Sequence, residues 1–226
     1  MNKSSSVRAA SIGVGLATGL YGISFGALSV AAGLDIWQTQ VLSLLMFSGG
    51  SQFAFVGVLA SGGFGSIPSA VVSAWLLGVR NGFYAIRMAP ILETPGWRKP
   101  LAAQLTIDES TAVSLSREGT EERRKGFWLT GIAVFVFWNL MTLLGAVLGD
   151  AMGDPTAWGL DAAAAAAFLG LIWPRLRERQ AAAVAALAML IAVLATPFLP
   201  AGLPILISGS VAVLVGGLDI FKGGRK

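Results

Sequence analysis

An all-α, polytopic membrane bundle of about seven or eight helices, some discontinuous or re-entrant, is the fold class this sequence predicts. Three observations predict it. Mean hydropathy is +0.73 in a chain that is 55% hydrophobic and only 12% charged, outside the range of soluble globular domains. Charge is missing altogether from residues 36–79, 126–149 and 180–218, and each gap holds a run able to cross a hydrocarbon layer, which takes about 20 helical residues. The basic residues are parcelled into short loops and tails, as in chains oriented by their cytoplasmic cations. Residues 1–226 read as a single transmembrane domain.

The same distribution sets aside nucleic acid as a partner, although the pI is near 9.9, because no basic face or stripe is formed. With no cysteine and no histidine, disulfides, thiol catalysis and the commonest metal ligand are excluded, so no metal and no cofactor is expected and any proton chemistry falls to carboxylates. A G-x-S-x-G elbow, an H-E-x-x-H pair and a P-loop are all missing, which argues against an enzyme or an ATP-driven machine.

Apolar runs and their flanks place helices near 11–32, 38–60, 67–89, 127–149, 157–173, 180–196 and 203–221. Lys3 and Arg8 before the first run, with Ser29-Val30-Ala31 after it, carry the outline of a cleavable leader. Against that stand Gly15, Gly19, Gly22 and Gly26, whose spacing puts all four on one helix face, the small-residue pattern of packed membrane helices. The second run opens on Asp35 and Gln38, an N-cap with its capping-box partner. It is interrupted at Ser48-Gly49-Gly50-Ser51-Gln52, where each glycine costs a helix about 1 kcal/mol relative to alanine. Ser51 then reads as the N-cap of a half-helix from Phe53 to Ala60; close helix packing through the glycines is the alternative.

The third run has apolar residues only from Ala70 to Val79 before Arg80-Asn81-Gly82-Phe83-Tyr84, a length that suits a half-crossing. Arg87 follows near its end and is expected to snorkel. In the fourth, Asn139 reads as an interhelical hydrogen bond. Tryptophans 37, 128, 158 and 173 mark span ends, and Asp161 before a run of alanines reads as a cap.

Basic clusters at Arg117, Arg123, Arg124 and Lys125, at Arg175, Arg177 and Arg179, and at Lys222, Arg225 and Lys226 belong inside, and Asp150 and Asp154 outside. Lys3 and Arg8 put the N-terminus inside as well, so an even number of crossings must precede Arg117. Three clear runs lie there. Either 101–116 is a short polar crossing that carries Asp108 and Glu109 into the membrane, or an earlier segment is re-entrant; both put polar backbone at depth, tolerated only beside protein or a water-filled cavity. A weak echo pairs Gly26-Ala27-Leu28 and Gly33-Leu34-Asp35 with Gly145-Ala146-Val147 and Gly159-Leu160-Asp161, as related halves 1–116 and 117–226 would.

An ionisable group at membrane depth costs roughly 2.5–3.5 kcal/mol, so function is sought at the few that interrupt the apolar runs. Free N–H groups and the positive end of a half-helix beginning in Ser48, Gly49, Gly50, Ser51, Gln52 and Phe53 attract a carboxylate. Arg80, with Asn81 and Tyr84 beside it, either clamps a carboxylate or serves as counter-ion to Asp108 or Glu109. Asp108 and Glu109, within Thr106-Ile107-Asp108-Glu109-Ser110-Thr111, either take a proton or an ammonium or belong to a solvated loop. Ser51 and Gln52 are expected on a substrate carboxylate and Phe53 and Phe55 on an aliphatic side chain. That is the site of a transporter for zwitterions, with a passive channel or a non-transporting assembly subunit as the other readings.

The chain resembles the AzlC-type family, the large membrane subunits of branched-chain amino acid exporters. The resemblance is carried by Gly22-Ile23-Ser24-Phe25-Gly26-Ala27, Ala31-Ala32-Gly33-Leu34, Leu45-Met46-Phe47-Ser48-Gly49-Gly50-Ser51-Gln52-Phe53, Arg80-Asn81-Gly82-Phe83-Tyr84, Met88-Ala89-Pro90 and Leu105-Thr106-Ile107-Asp108-Glu109-Ser110. It implies proton-coupled export of valine, leucine and isoleucine, with methionine as a further substrate, across a bacterial inner membrane together with an AzlD-type small membrane subunit. Where the family often carries histidine after the arginine, this chain has Asn81, which leaves coupling to Asp108 or Glu109.

Overall fold

The computed structural model describes residues 3–152, 169, 173, 175–199 and 203–217, and all regular structure among them is helical. The helices are α1 (Lys3–Ala31), α2 (Ile36–Leu45), α3 (Gly49–Gly62), α4 (Ile67–Leu92), α5 (Lys99–Gln104), α6 (Asp108–Leu115), α7 (Thr120–Ala151), α8 (Arg179–Ala195) and α9 (Leu203–Gly217). The expected helix at 157–173, Asp154, Trp158, Asp161, the Gly159-Leu160-Asp161 echo and the C-terminal lysines and arginine lie outside the described residues.

Helices α1 and α7 form the spine. They run parallel, because contacts advance together along both: Thr130 Oγ1 donates to Ser11 Oγ at 2.9 Å, Gly15 faces Ala133, Gly19 faces Phe137, and Gly26 faces Thr142 and Ala146. With Gly22 against Trp138 and Thr142, the four glycines Gly15, Gly19, Gly22 and Gly26 all meet α7, as their spacing predicts. At Gly26 and at Gly145 an added Cβ would fall on backbone of the opposite helix. Glycine lets the two backbones approach to direct contact, the packing device available where lipid supplies no hydrophobic drive between helices. The Gly26-Ala27-Leu28 and Gly145-Ala146-Val147 echo lies across this contact, with Gly149 against Ala27.

Helix α7 buries Phe127, Thr130, Gly131, Val134, Trp138, Thr142, Gly145, Ala146 and Gly149, a stripe at helical spacing, and exposes Ile132, Val136, Leu140, Leu144, Val147 and Leu148. The segments Val7–Ala31 and Thr120–Ala151 are long and apolar enough to cross a membrane. Burial is inverted relative to a soluble protein: Ser11, Ser29, Thr39, Ser43, Gln52, Ser110, Ser114, Thr130 and Thr142 are fully enclosed while leucines and valines face out. Such a surface suits a bilayer.

Between these helices the chain makes two hairpins that enter from opposite ends. The first is α2–α3. Its capping box at Asp35 is present, with Gln38 N–H donating to Asp35 Oδ1 at 2.7 Å; α2 stops at Leu45, and α3 starts after a non-helical Met46–Ser48. Gly33, at the end of α1, lies against the Phe64 ring that follows α3, so the hairpin leaves at the end where it entered. Helix α4 returns antiparallel to α3: Ser66 Oγ donates to Val58 O at 3.1 Å near one end, and Gly50 faces Leu77 and Arg80 further along.

The second hairpin is α5–α6. Its entry is fixed by Arg124, whose Nε donates to Ile91 O at 2.7 Å and whose guanidinium pairs with Glu93, bringing the end of α4 to the start of α7. Gln104 Nε2 at the tip donates to Leu44 O at 2.8 Å, the frayed end of α2. The return is closed by Ser114 Oγ donating to Arg123 O at 2.9 Å.

Of the two alternatives left open for the first half, this topology follows the re-entrant one, and it corrects the reading of the third run. The run at 38–60 is broken where expected, but it turns back instead of crossing. The third run is no half-crossing: α4 continues through Arg80 to Leu92 for 26 residues, about 39 Å at 1.5 Å per residue. Its polar turn is covered on one side by Gly50 and Asp108, so the helix has no reason to stop there. Residues 101–116 make no crossing either. With both hairpins turning back, α1 and α4 are the long helices that precede Arg117. Asn139 also differs, since its Nδ2 donates to Phe135 O one turn back on its own helix at 2.8 Å.

Candidate functional site

The two hairpin tips meet beside the middle of α4 and enclose a cavity of about 520 Å³. Its polar lining is Ser48, Gly49 and Gly50 from the first hairpin, Arg80 from α4, Asp108 and Glu109 from the second, and Thr18 and Tyr21 from α1. Phe47, Phe53, Ile107, Val134 and Trp138 supply the apolar wall. Helices α3 and α6 both begin here, so two positive helix ends converge on one space.

The first half-helix begins one turn earlier than its serine pattern predicts. Ser48, not Ser51, is the N-cap, and it makes no side-chain cap bond, because its hydroxyl is turned toward Ser51 Oγ at 3.3 Å and accepts from Asn81 Nδ2 at 3.0 Å. The first amides of α3 have no partner within the helix. Gly50 packs closely on α4: an added Cβ would stand 3.0 Å from Arg80 Nη2 and 3.2 Å from Leu77 Cδ2.

The two carboxylates have different partners, one a cation and the other a hydroxyl. Arg80 Nη2 lies 2.8 Å from Asp108 Oδ2, and Tyr84 Oη donates to Asp108 Oδ1 at 2.6 Å, so both oxygens of this carboxylate are held. Of the two roles read for Arg80 in the sequence, the counter-ion is the one adopted. Glu109 has no cation within ion-pair distance among the described residues. It faces the cavity with Thr18 as its hydroxyl neighbour.

Of the residues singled out in the sequence, Ser48, Gly49, Gly50, Phe53, Arg80, Asp108 and Glu109 line this cavity. Tyr84 acts through Asp108. Ser51 and Asn81 instead line a neighbouring cavity of about 480 Å³ behind the tip. Gln52 is fully buried with Nε2 3.4 Å from Ser43 O, and Phe55 packs against the core rather than the site. Sequence reasoning missed Thr18, Tyr21, Phe47 and Trp138. Trp138 carried a signal, being a tryptophan in mid-span where interfacial placement is usual; it stacks on Phe25 at 6.1 Å and meets Phe53 edge-on at 6.3 Å.

An all-helical bundle with exposed apolar faces, opposed re-entrant hairpins and a charged cavity at their tips defines a polytopic membrane protein. The chain belongs to the AzlC family, whose profile, described as AzlC protein, matches residues 13–152. It is similar to proteins named as uncharacterized membrane proteins in two Helicobacter pylori strains: 27% identical over 134 residues in strain ATCC 700392 / 26695 and 25% identical over 134 residues in strain J99. Each match covers 58% of this chain and 58% of the relative's length. No solved structure matches.

Proposed function

We propose that this protein exports branched-chain amino acids, with methionine as a further substrate, from a bacterial cytoplasm across the inner membrane, in exchange for protons and together with a small membrane subunit of the AzlD type. The observation that carries the reading is the division of labour between adjacent carboxylates: Asp108 is held by Arg80 and Tyr84, and Glu109 faces the cavity. A zwitterion then has a place for each end. Its carboxylate sits at the amides of Gly49 and Gly50 at the positive end of α3, and its ammonium at Glu109. The aliphatic side chain lies against Phe47, Phe53, Ile107 and Val134.

One carboxylate that accepts either an ammonium or a proton, but not both, gives exchange. Binding a proton on one side releases the amino acid there, and losing it on the other reopens the site. Apolar walls distinguish leucine from valine by about one methylene, roughly 1–3 kcal/mol, so broad aliphatic specificity follows. A cytoplasmic start of α7 is supported by Arg117, Arg123, Arg124 and Lys125; the parallel course of α1 supports an N-terminus on the same side, as Lys222, Arg225 and Lys226 do for the C-terminus.

The test is leucine flux in liposomes containing this protein, with and without the small subunit, under an imposed pH gradient. Flux that follows the gradient and is lost in Glu109→Gln supports the proposal. Flux indifferent to the gradient marks a passive channel, and export unaffected by Asp108→Asn with Glu109→Gln marks a non-transporting subunit.

A further inference from the structure

The cavity at the charged site and the one behind it share two residues, Phe47 and Ser48. These belong to the non-helical Met46–Ser48 linker at the tip of the first hairpin. Adjacent residues of α4 take opposite sides of this wall: Arg80 lines the first cavity and Asn81 the second. Phe47 is 6% exposed and packs edge-on against Phe135 with ring centroids 5.0 Å apart. One hydrogen bond, from Asn81 Nδ2 to Ser48 Oγ at 3.0 Å, ties the linker to α4.

The second cavity lies further along the same axis. Its α4 residues Val71, Ala74, Trp75 and Gly78 precede Arg80 on the way to Ile67, so it extends from the charged level toward the end of the bundle where α1 finishes. It is a cleft open at the surface, where Val71, Trp75 and Val79 are exposed, and its chemistry is that of a weak site for the same ligand: these apolar residues with neutral Ser51, Asn81 and Gln104, and no charged residue in its lining. A group that binds tightly at the charged cavity needs a weaker place from which to leave.

We infer that the second cavity is a second station for the transported aliphatic amino acid on its exit side, and that Phe47 is the barrier between the stations, latched by Ser48 and Asn81. The inference rests on the transport reading above. Swinging Phe47 aside joins the two spaces without moving the three long helices, because the Met46–Ser48 linker lies outside any helix. Asn81 is then a positioning residue for the barrier rather than a substrate ligand.

The chain contains no cysteine, which permits a direct test in the full-length protein. Ala74→Cys places a thiol in the second cavity and Ala17→Cys one in the first. Saturating leucine is expected to slow modification of both thiols by a small methanethiosulfonate several-fold, and Phe47→Ala and Asn81→Ala are expected to raise leucine flux in the absence of a pH gradient. Leucine protection at position 17 without protection at position 74, in protein with Phe47 intact, overturns the inference whatever Phe47→Ala does to folding. So does gradient-dependent leucine flux by the wild type together with unaltered, fully coupled flux by folded Phe47→Ala. A wild type that moves no leucine at all overturns the transport reading itself.

Discussion

Tyr84 donates to Asp108 at 2.6 Å, across the gap between α4 and the second hairpin, and takes the carboxylate oxygen that Arg80 leaves open. A charge pair half open to the cavity gains little from Coulomb attraction alone. The hydroxyl fixes the geometry, holding the hairpin tip against α4 with Arg80 turned to Gly50. Tyr84→Phe removes one hydrogen bond, about 1 kcal/mol, without changing the ring. Its thermal midpoint in detergent is expected to fall slightly and its leucine flux by less than that of Asp108→Asn, which strips Arg80 of its counter-ion. Equal and complete loss in the two variants would contradict the assignment of Tyr84 to a supporting role.

Glu109 and Asp108 are neighbours in sequence with different partners, so their amides are expected to behave differently. Glu109→Gln keeps the volume and the packing of α6 while removing the carboxylate that faces the cavity; it should elute as wild type and lose gradient-driven leucine flux. Asp108→Asn should lose both flux and stability. A Glu109→Gln protein that still exchanges leucine for protons assigns the coupling elsewhere.

Gly50 admits Arg80 to the first turn of α3. In Gly50→Ala the methyl group meets Nη2 at 3.0 Å and Leu77 at 3.2 Å, so the ends of both side chains must give by a few tenths of an ångström. Overpacking of this kind costs about 1–3 kcal/mol. The expected readout is a weakened apparent affinity for leucine, with Gly57→Ala as the control, since nothing lies near that position. Matching behaviour of the two alanines would show that Arg80 has no business at the tip.

How much of this was readable beforehand differs by feature, and the differences have physical causes. The α1–α7 contact was legible because glycine spacing reports on one helix face and needs no partner to be interpreted. The break at Ser48-Gly49-Gly50 was legible for the same local reason. Its direction was not: a chain that turns back and a chain that crosses have the same composition, and only Gly33 against Phe64 distinguishes them. The extent of α4 was legible, 67–89 against Ile67–Leu92; its apolar part suggested a half-crossing because hydropathy penalises Arg80 without knowing that Asp108 would pair with it. Phe47 stood only within the family motif and Trp138 was not singled out, because their place at the site is set by the tertiary packing of two hairpins.

The hairpins fix a pattern of sidedness that a crossing model does not share. If α2–α3 turns back, Ala31 before it and Gly65 after it lie on one face of the membrane; if it crosses, they lie on opposite faces. Likewise Thr94 and Gly119, which flank α5–α6, share the other face. Single cysteines at these four positions, in a chain that has none of its own, can be labelled with a membrane-impermeant maleimide in intact cells. The expected outcome is labelling at 31 and 65 and protection at 94 and 119 until the cells are opened, because positive charge holds the start of α7 inside. Opposite accessibility at 31 and 65 would remove the first hairpin, and with it the convergence of two half-helix ends on which the carboxylate site depends.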